Sequence, residues 1–204
     1  MTTKRYVPQG IGPTGRTATY VIAASDAPAH VKAQADYAMP NAGADLGVVV
    51  NTAYNDSYLS VLLSEGTFNI STPIIPINYT RLEGQGRLTT LKAVSNVDII
   101  SKVGTVIYFE LVHLNIDGDK ATRTGNLYGV NLGDSDYGLF EDILVENCCF
   151  RGASISGDYN IINNCWFVSN TEVANGDGLI MVVETIILFL TVWLFKTGKL
   201  DLRF

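Results

Sequence analysis

Between residues 62 and 178 the chain alternates apolar and polar positions in short runs punctuated by Gly and Asn, as in VDIISKVGTVIYF and FRGASISGDYNII. Alternation with period two places apolar side chains on one face of a strand, and no sustained helical period interrupts this stretch. Within it the alternation slips by one residue at corresponding places. Phe109 and Leu111 precede the slip and Leu114 and Ile116 follow it; the same frame fits Ile143, Val145, Cys148 and Phe150, and again Asn160, Ile162, Cys165 and Phe167. Each copy reads strand, corner, strand. Upstream, YVIAA at residues 20–24 predicts a strand, and the stretch around Ala27–Ala35 predicts a helix.

A unit this short cannot bury its apolar face alone, so stacked copies are needed to make a continuous core. The pattern therefore predicts an all-β solenoid, a right-handed parallel β-helix with a short N-terminal helix or cap and an apolar C-terminal segment. Asn147-Cys148-Cys149-Phe150 and Asn164-Cys165-Trp166-Phe167 share the pattern Asn-Cys-x-Phe, which makes Asn147 and Asn164 equivalent corners, with His113 at that place in the first copy. An Asn turned inward there forms an asparagine ladder, satisfying buried groups that cost ~1–3 kcal/mol each when unpaired. The alternative is that both are exposed turn formers. As neighbours on a strand, Cys148 and Cys149 would point to opposite faces, with at most one facing the same interior as Cys165.

The run LSEGTFNISTPIIPINYTRLEGQGRLTTLKA (residues 63–93) resembles the first coils of the pectate-lyase-like right-handed β-helix superfamily, which includes phage tailspike and environmental surface proteins. The positions that carry the resemblance are Glu65, Gly66, Thr67, Phe68 and Ile70, then Pro73, Leu82, Gly84 and Gly86; FELVHLNIDG, Phe109 to Gly118, resembles a further strand of that family. The resemblance covers residues 20–37 loosely and 62–178 well. It implies the fold, and a scaffold that hosts lyases, hydrolases and pure binders alike. Residues 38–61, AMPNAGADLGVVVNTAYNDSYLSV, depart from the family's capping segment.

Three regions follow: an N-terminal strand, helix and irregular cap at 1–61, β-helix coils at 62–178, and an apolar segment at 179–204. The last, LIMVVETIILFLTVWLFKTGKLDLRF, loses Asn and Gly abruptly. As a spanning helix it is slightly short and carries Glu184, so a membrane anchor is not the expected role. Back-translated one nucleotide earlier, Met181–Thr191 permits Asn-Gly-Gly-Gly-Asn-Asn-Asn-Thr-Ile-Ser-Asn, a plausible further rung; a frameshifted tail and an apolar cover over the last coil both remain open. The same segment is the expected surface for any homo-oligomer.

With 204 residues, 47% hydrophobic and 17% charged, the chain can bury one substantial core. Its net charge of −6, without a basic stripe, argues against nucleic acid as partner. The N-terminus lacks the apolar core of a secretory signal. Cys148, Cys149 and Cys165 have no CxxC spacing and read as buried apolar residues rather than a metal site or nucleophile.

Polysaccharide is the expected partner, outside the cell, at a cell surface or on a virion, with a structural assembly module or a lyase or hydrolase as alternatives. Glycoside hydrolysis needs two carboxyl groups across the scissile bond, and the weak catalytic candidates are Asp117, Asp119, Asp134 and Asp136, with Glu141 and Asp142 beside them. A lyase would add Arg123 or Arg151 as base and calcium as the one cofactor to test. All these aspartates also suit ordinary turns. Tyr128, Tyr137 and Tyr159, together with Tyr108, are candidate sugar-stacking residues. His30 and His113 carry no patterned partner, and Gly84–Arg87, GQGR, reads as a tight corner rather than a phosphate loop.

Overall fold

The computed structural model describes residues 19–170 and, as strands, 179–182, 192–195 and 200–203. In chain order the elements are β1 (Thr19–Ala23), α1 (Ala29–Lys32), β2 (Tyr37–Ala38), α2 (Leu46–Asn55), β3 (Ser60–Leu63), β4 (Gly66–Ile70), β5 (Arg81–Glu83), β6 (Thr89–Ala93), β7 (Ile100–Ile107) and β8 (Glu110–Asp117). There follow β9 (Tyr128–Asp136), β10 (Leu139–Glu146), β11 (Arg151–Ser156), β12 (Ile161–Asn163), β13 (Cys165–Val168), β14 (Leu179–Val182), β15 (Val192–Phe195) and β16 (Leu200–Arg203). All pairings between these strands are parallel, in two sheets. The longer sheet runs β15-β13-β10-β8-β5-β3-β1-β2, and the second runs β16-β14-β11-β9-β7. The chain is a parallel β-helix.

Register explains why the alternation builds a core. One inward column holds Val61, Leu82, Leu111, Phe140 and Ile162, partners in successive coils and all buried. A second holds Phe68, Leu91, Ile116, Val145 and Phe167, equally buried. On the second sheet Ile74, Ile100, Val130 and Ala153 form a third. Burying each large side chain contributes about 1.5–3 kcal/mol, and a coil gains it only when its neighbour is present.

The frame of FELVHLNI against NIINNCWF holds: Leu111, Leu114 and Ile116 stand in register, through β10, with Ile162, Cys165 and Phe167. The middle copy differs. Leu114 pairs with Ile143 and Ile116 with Val145, so the true partner is GLFEDILVE, not ILVENCCF. His113, Asp142 and Asn164 occupy one left-handed corner at φ 56°, 51° and 52°. Asn147, at φ 55°, belongs to the next corner, with Ser169. Each coil has several such corners followed by an inward residue, so the motif Asn-Cys-x-Phe fits two of them.

The inward asparagines are also different ones. Asn160 and Asn170 are buried: Asn160 Oδ1 accepts from Gly138 N–H at 2.9 Å, and Asn170 accepts from Cys148 N–H at 3.0 Å while donating to the Val145 carbonyl at 2.7 Å. Asn147 and Asn164 face outward and donate to Asp117 and Asp142 at 3.2 Å. Cys148, Cys149 and Cys165 are all buried free thiols. Cys148 and Cys149 are both interior because they round a corner rather than alternate along a strand.

The helix expected around Ala27–Ala35 is the single turn α1, and residues 38–61 supply a second helix. Its buried Leu46, Val50, Ala53 and Tyr54 follow helical spacing. Asp45 caps it: one oxygen accepts from Gly47 N–H and Ser71 N–H, both at 3.1 Å, and the other accepts from the Ser71 hydroxyl at 2.8 Å. Burial alone would raise this carboxyl's pKa, but hydrogen bonds from Thr72 and Ser71 bring it below the ordinary range. A Cβ on Gly47 would lie 1.8 Å from the Thr72 carbonyl oxygen, so only glycine lets the helix sit against the segment after β4. At the other end, β14, β15 and β16 continue both ladders. Among the described residues no helix is long and apolar enough to cross a membrane.

Candidate functional site

β5, β8, β10 and β12 each begin two residues after a tyrosine: Tyr79, Tyr108, Tyr137 and Tyr159. These tyrosines stand at one corner of four successive coils, with φ of 64°, 56°, 55° and 57°. The backbone there is tied from coil to coil: Tyr79 N–H donates to Ile107 O at 2.8 Å, Tyr108 N–H to Asp136 O and Tyr137 N–H to Asp158 O, both at 2.9 Å. Their rings form a continuous stack. Centroids lie 5.2, 5.0 and 4.8 Å apart, with interplanar angles of 15°, 17° and 10°. Tyr108 and Tyr137 nevertheless keep 45% and 46% exposure. The inner rings give both faces to neighbouring tyrosines, so the ladder turns ring edges and hydroxyls to solvent.

Carboxylates flank the ladder. Asp134 and Asp136, two residues apart on β9, share its outward face, and Asp158 lies one coil on. Asp134 accepts from the Thr105 hydroxyl at 2.6 Å, and Asp136 accepts from Asp158 N–H at 2.7 Å. The phenol of Tyr137 has its pKa raised, first by desolvation and then by Tyr159, Tyr108, Asp136 and Asp158. This edge offers hydrogen-bond donors from the phenols and acceptors from the carboxylates, in a field that disfavours anions.

Sequence reasoning singled out Tyr108, Tyr137, Tyr159, Asp134 and Asp136; the structure brings the three tyrosines and Asp136 together here, with Asp134 two residues before Asp136 on the same face of β9. Tyr128 lies elsewhere: its hydroxyl accepts from Arg151 at 3.1 Å, its ring meets Phe150 edge-on at 5.2 Å, and the Arg151 guanidinium lies 4.4 Å from the Phe150 centroid. Asp117 and Asp119 form a separate turn. Asp117 accepts from Asp119 N–H at 3.0 Å, while Asp119 accepts from the Thr122 hydroxyl at 2.5 Å and neighbours Lys92 and Arg123 at 3.7 and 3.8 Å. Arg123 also donates to the Val94 carbonyl at 2.7 Å. Asp142 sits between His113 and Asn164, 3.2 Å from each, and Glu141 accepts from Asn163 at 2.8 Å. Among the described residues no three His, Cys, Asp or Glu side chains are grouped to hold a metal ion.

Sequence reasoning missed two features. Tyr79 is the first ring of the stack, and Tyr79, Tyr108 and Tyr137 recur at equal spacing, a signal that the chain carries in plain view. The second feature is on the outer face of the longer sheet. A 3-10 turn at Gly86–Leu88 carries Arg87 to within 4.0 Å of the Trp166 ring centroid, three coils away.

No family model matches the chain, and no curated protein does. Among solved structures, ORF18 of Geobacillus virus E2 is similar at 18% identity and a TM-score of 0.55, covering 77% of this chain. The chain spans 37% of that protein's length. The A-module of mannuronan C-5 epimerase AlgE4 from Azotobacter vinelandii is similar at 10% identity and a TM-score of 0.42, over 76% of this chain and 73% of that one. The likeness to the phage protein is one of fold, the parallel β-helix.

Proposed function

We propose that this chain is a polysaccharide-binding β-helix, acting at a cell surface or on a virion, and that the tyrosine ladder with Asp134, Asp136 and Asp158 is where the glycan lies. The observation that carries the reading is the ladder itself: stacked tyrosines held at positive φ, with Tyr108 and Tyr137 almost half exposed. A bulky residue at positive φ is a strained choice, and such strain concentrates at functional sites. The ladder repeats one phenol per coil along the solenoid axis, with Asp136 and Asp158 ahead of Tyr137 and Tyr159, which suits a polymer whose hydroxyls recur in the same direction. Contact is through hydrogen bonds to ring edges, hydroxyls and carboxylates, and the acidic flank favours a neutral or cationic glycan over an acidic one.

The test is a glycan array probed with the folded, monodisperse protein, with and without calcium, while released sugar ends are followed. Selective binding that falls about tenfold in Tyr108→Ala/Tyr137→Ala is the expected result. Binding that the double variant retains in full would remove the ladder from the reading, and absence of binding to every glycan would remove the reading itself. Turnover alongside binding would redirect attention to Asp134 and Asp136 as acid and base.

A further inference from the structure

Strand register places Tyr58 at the ladder's position in the coil before Tyr79, because each stands two residues ahead of the paired residues Ser60 and Arg81. Tyr58, however, meets Tyr20 at a centroid distance of 4.7 Å and an interplanar angle of 48°. Beside this pair lies a cleft of about 360 Å³. Tyr20, Tyr37 and Tyr58 line one side of it, and Val48, Thr52 and Asp56, from α2 and its C-cap, line the other.

The chemistry of this lining is one-sided. Among the described residues that line it there is no Lys, Arg or His, and Asp56 is one of them. Asp36 adds a second carboxylate nearby: it is fixed by accepting from Val21 N–H at 2.8 Å, and with Asp56 it contributes to the raised pKa of Tyr20, whose first cause is burial. The Thr52 hydroxyl donates back to the Val48 carbonyl at 2.8 Å, so it does not offer its proton to the cleft. Val48 leaves an apolar side chain 53% exposed at the rim. Tyrosine rings, apolar surface and carboxylates together suit a cation with diffuse charge and methyl groups. A primary ammonium would exchange a strong hydration shell for few acceptors here.

We propose that the cleft between β1, β2 and α2 is a binding site for an organic quaternary ammonium group. The site stands apart from the glycan reading, since it uses none of Tyr79, Tyr108, Tyr137 and Tyr159.

Choline is the probe, and 3,3-dimethylbutan-1-ol, its neutral isostere, is the control. Titrations of the full chain are followed by tyrosine ring signals in NMR. Choline is expected to saturate and to bind about tenfold more tightly than the isostere. Asp56→Asn is expected to weaken choline severalfold without moving the isostere, and Tyr37→Leu to weaken it at an unchanged melting temperature. Tyr58→Phe keeps the ring and is expected to keep binding, which separates loss of the site from loss of the fold. Equal affinity for choline and the isostere would overturn the proposal, as would no saturable shift or full choline binding by Asp56→Asn.

Discussion

Two corners of the same coils make opposite choices under the same constraint. At the middle corner, positive φ is met by His113, Asp142 and Asn164, residue types enriched in the left-handed region because their polar groups bond locally. At the tyrosine corner the same backbone is met four times by a residue with no such preference. Turn chemistry accounts for the first corner and leaves the second unexplained. What the tyrosines gain is each other: an aromatic pair contributes about 0.5–1.5 kcal/mol, which offsets part of a local strain of about 1–3 kcal/mol per residue. Stacking offsets that strain in part, and the exposure of Tyr108 and Tyr137 is what the proposed glycan contact rests on.

The largest expected effect is at the middle corner. A Cβ on Gly84 would lie 2.5 Å from the His113 carbonyl oxygen and 2.8 and 2.9 Å from Thr89 and Leu114 side-chain carbons. Gly84→Ala is expected to cost about 3 kcal/mol in urea unfolding, and a cost near zero would show that the corner is looser than its packing. Next comes Tyr137→Ala, which removes two stacked contacts and should cost about 1–3 kcal/mol. Tyr137→Asn should recover part of that loss by relieving the backbone while leaving glycan binding impaired. If Asn restores binding as well, the ladder is a structural stack and the comparison loses its functional half.

Smaller and pH-dependent is the effect of the thiols that follow the corners. Burial pushes the Cys165 thiol up to about 12 from an ordinary 9.0 and raises Cys148 as well. Above the unfolded value the unfolded chain loses protons that the folded chain keeps. Stability is therefore expected to be intact below about pH 9 and to fall as pH rises towards 12. Urea midpoints between pH 8 and 11 should decline less steeply in Cys165→Ala than in the parent; identical slopes would mean that Cys165 does not carry the effect. For the same reason alkylation by iodoacetamide at pH 8 should be slow until denaturant is added.

The parallel β-helix was legible because alternation with a slip recurs wherever a coil turns. Register was legible only in part. A left-handed residue followed by an inward one occurs both at Asp142-Ile143 and at Asn147-Cys148, and each preserves alternation on both sides, so local pattern alone could not choose between them. The cap helix escaped because β-branched Val48, Val49 and Val50 weigh against a helix, although Leu46, Val50, Ala53 and Tyr54 already carried the helical period. Most of the site was legible in Tyr108, Tyr137, Tyr159, Asp134 and Asp136. The stack was not, since the step from Tyr137 to Tyr159 is shorter than the two before it. Coils of unequal length hide a column that register makes plain.

A solenoid held only by nearest neighbours can fray from either end, losing one coil at a time. The Arg87 guanidinium over Trp166 links the coil of β5 and β6 to that of β13 across two intervening coils. Such a tie makes the detachment of β13 pull on the turn at Gly86–Leu88. What would otherwise be a zipper opening tooth by tooth becomes, over these coils, a clasp that releases as a unit.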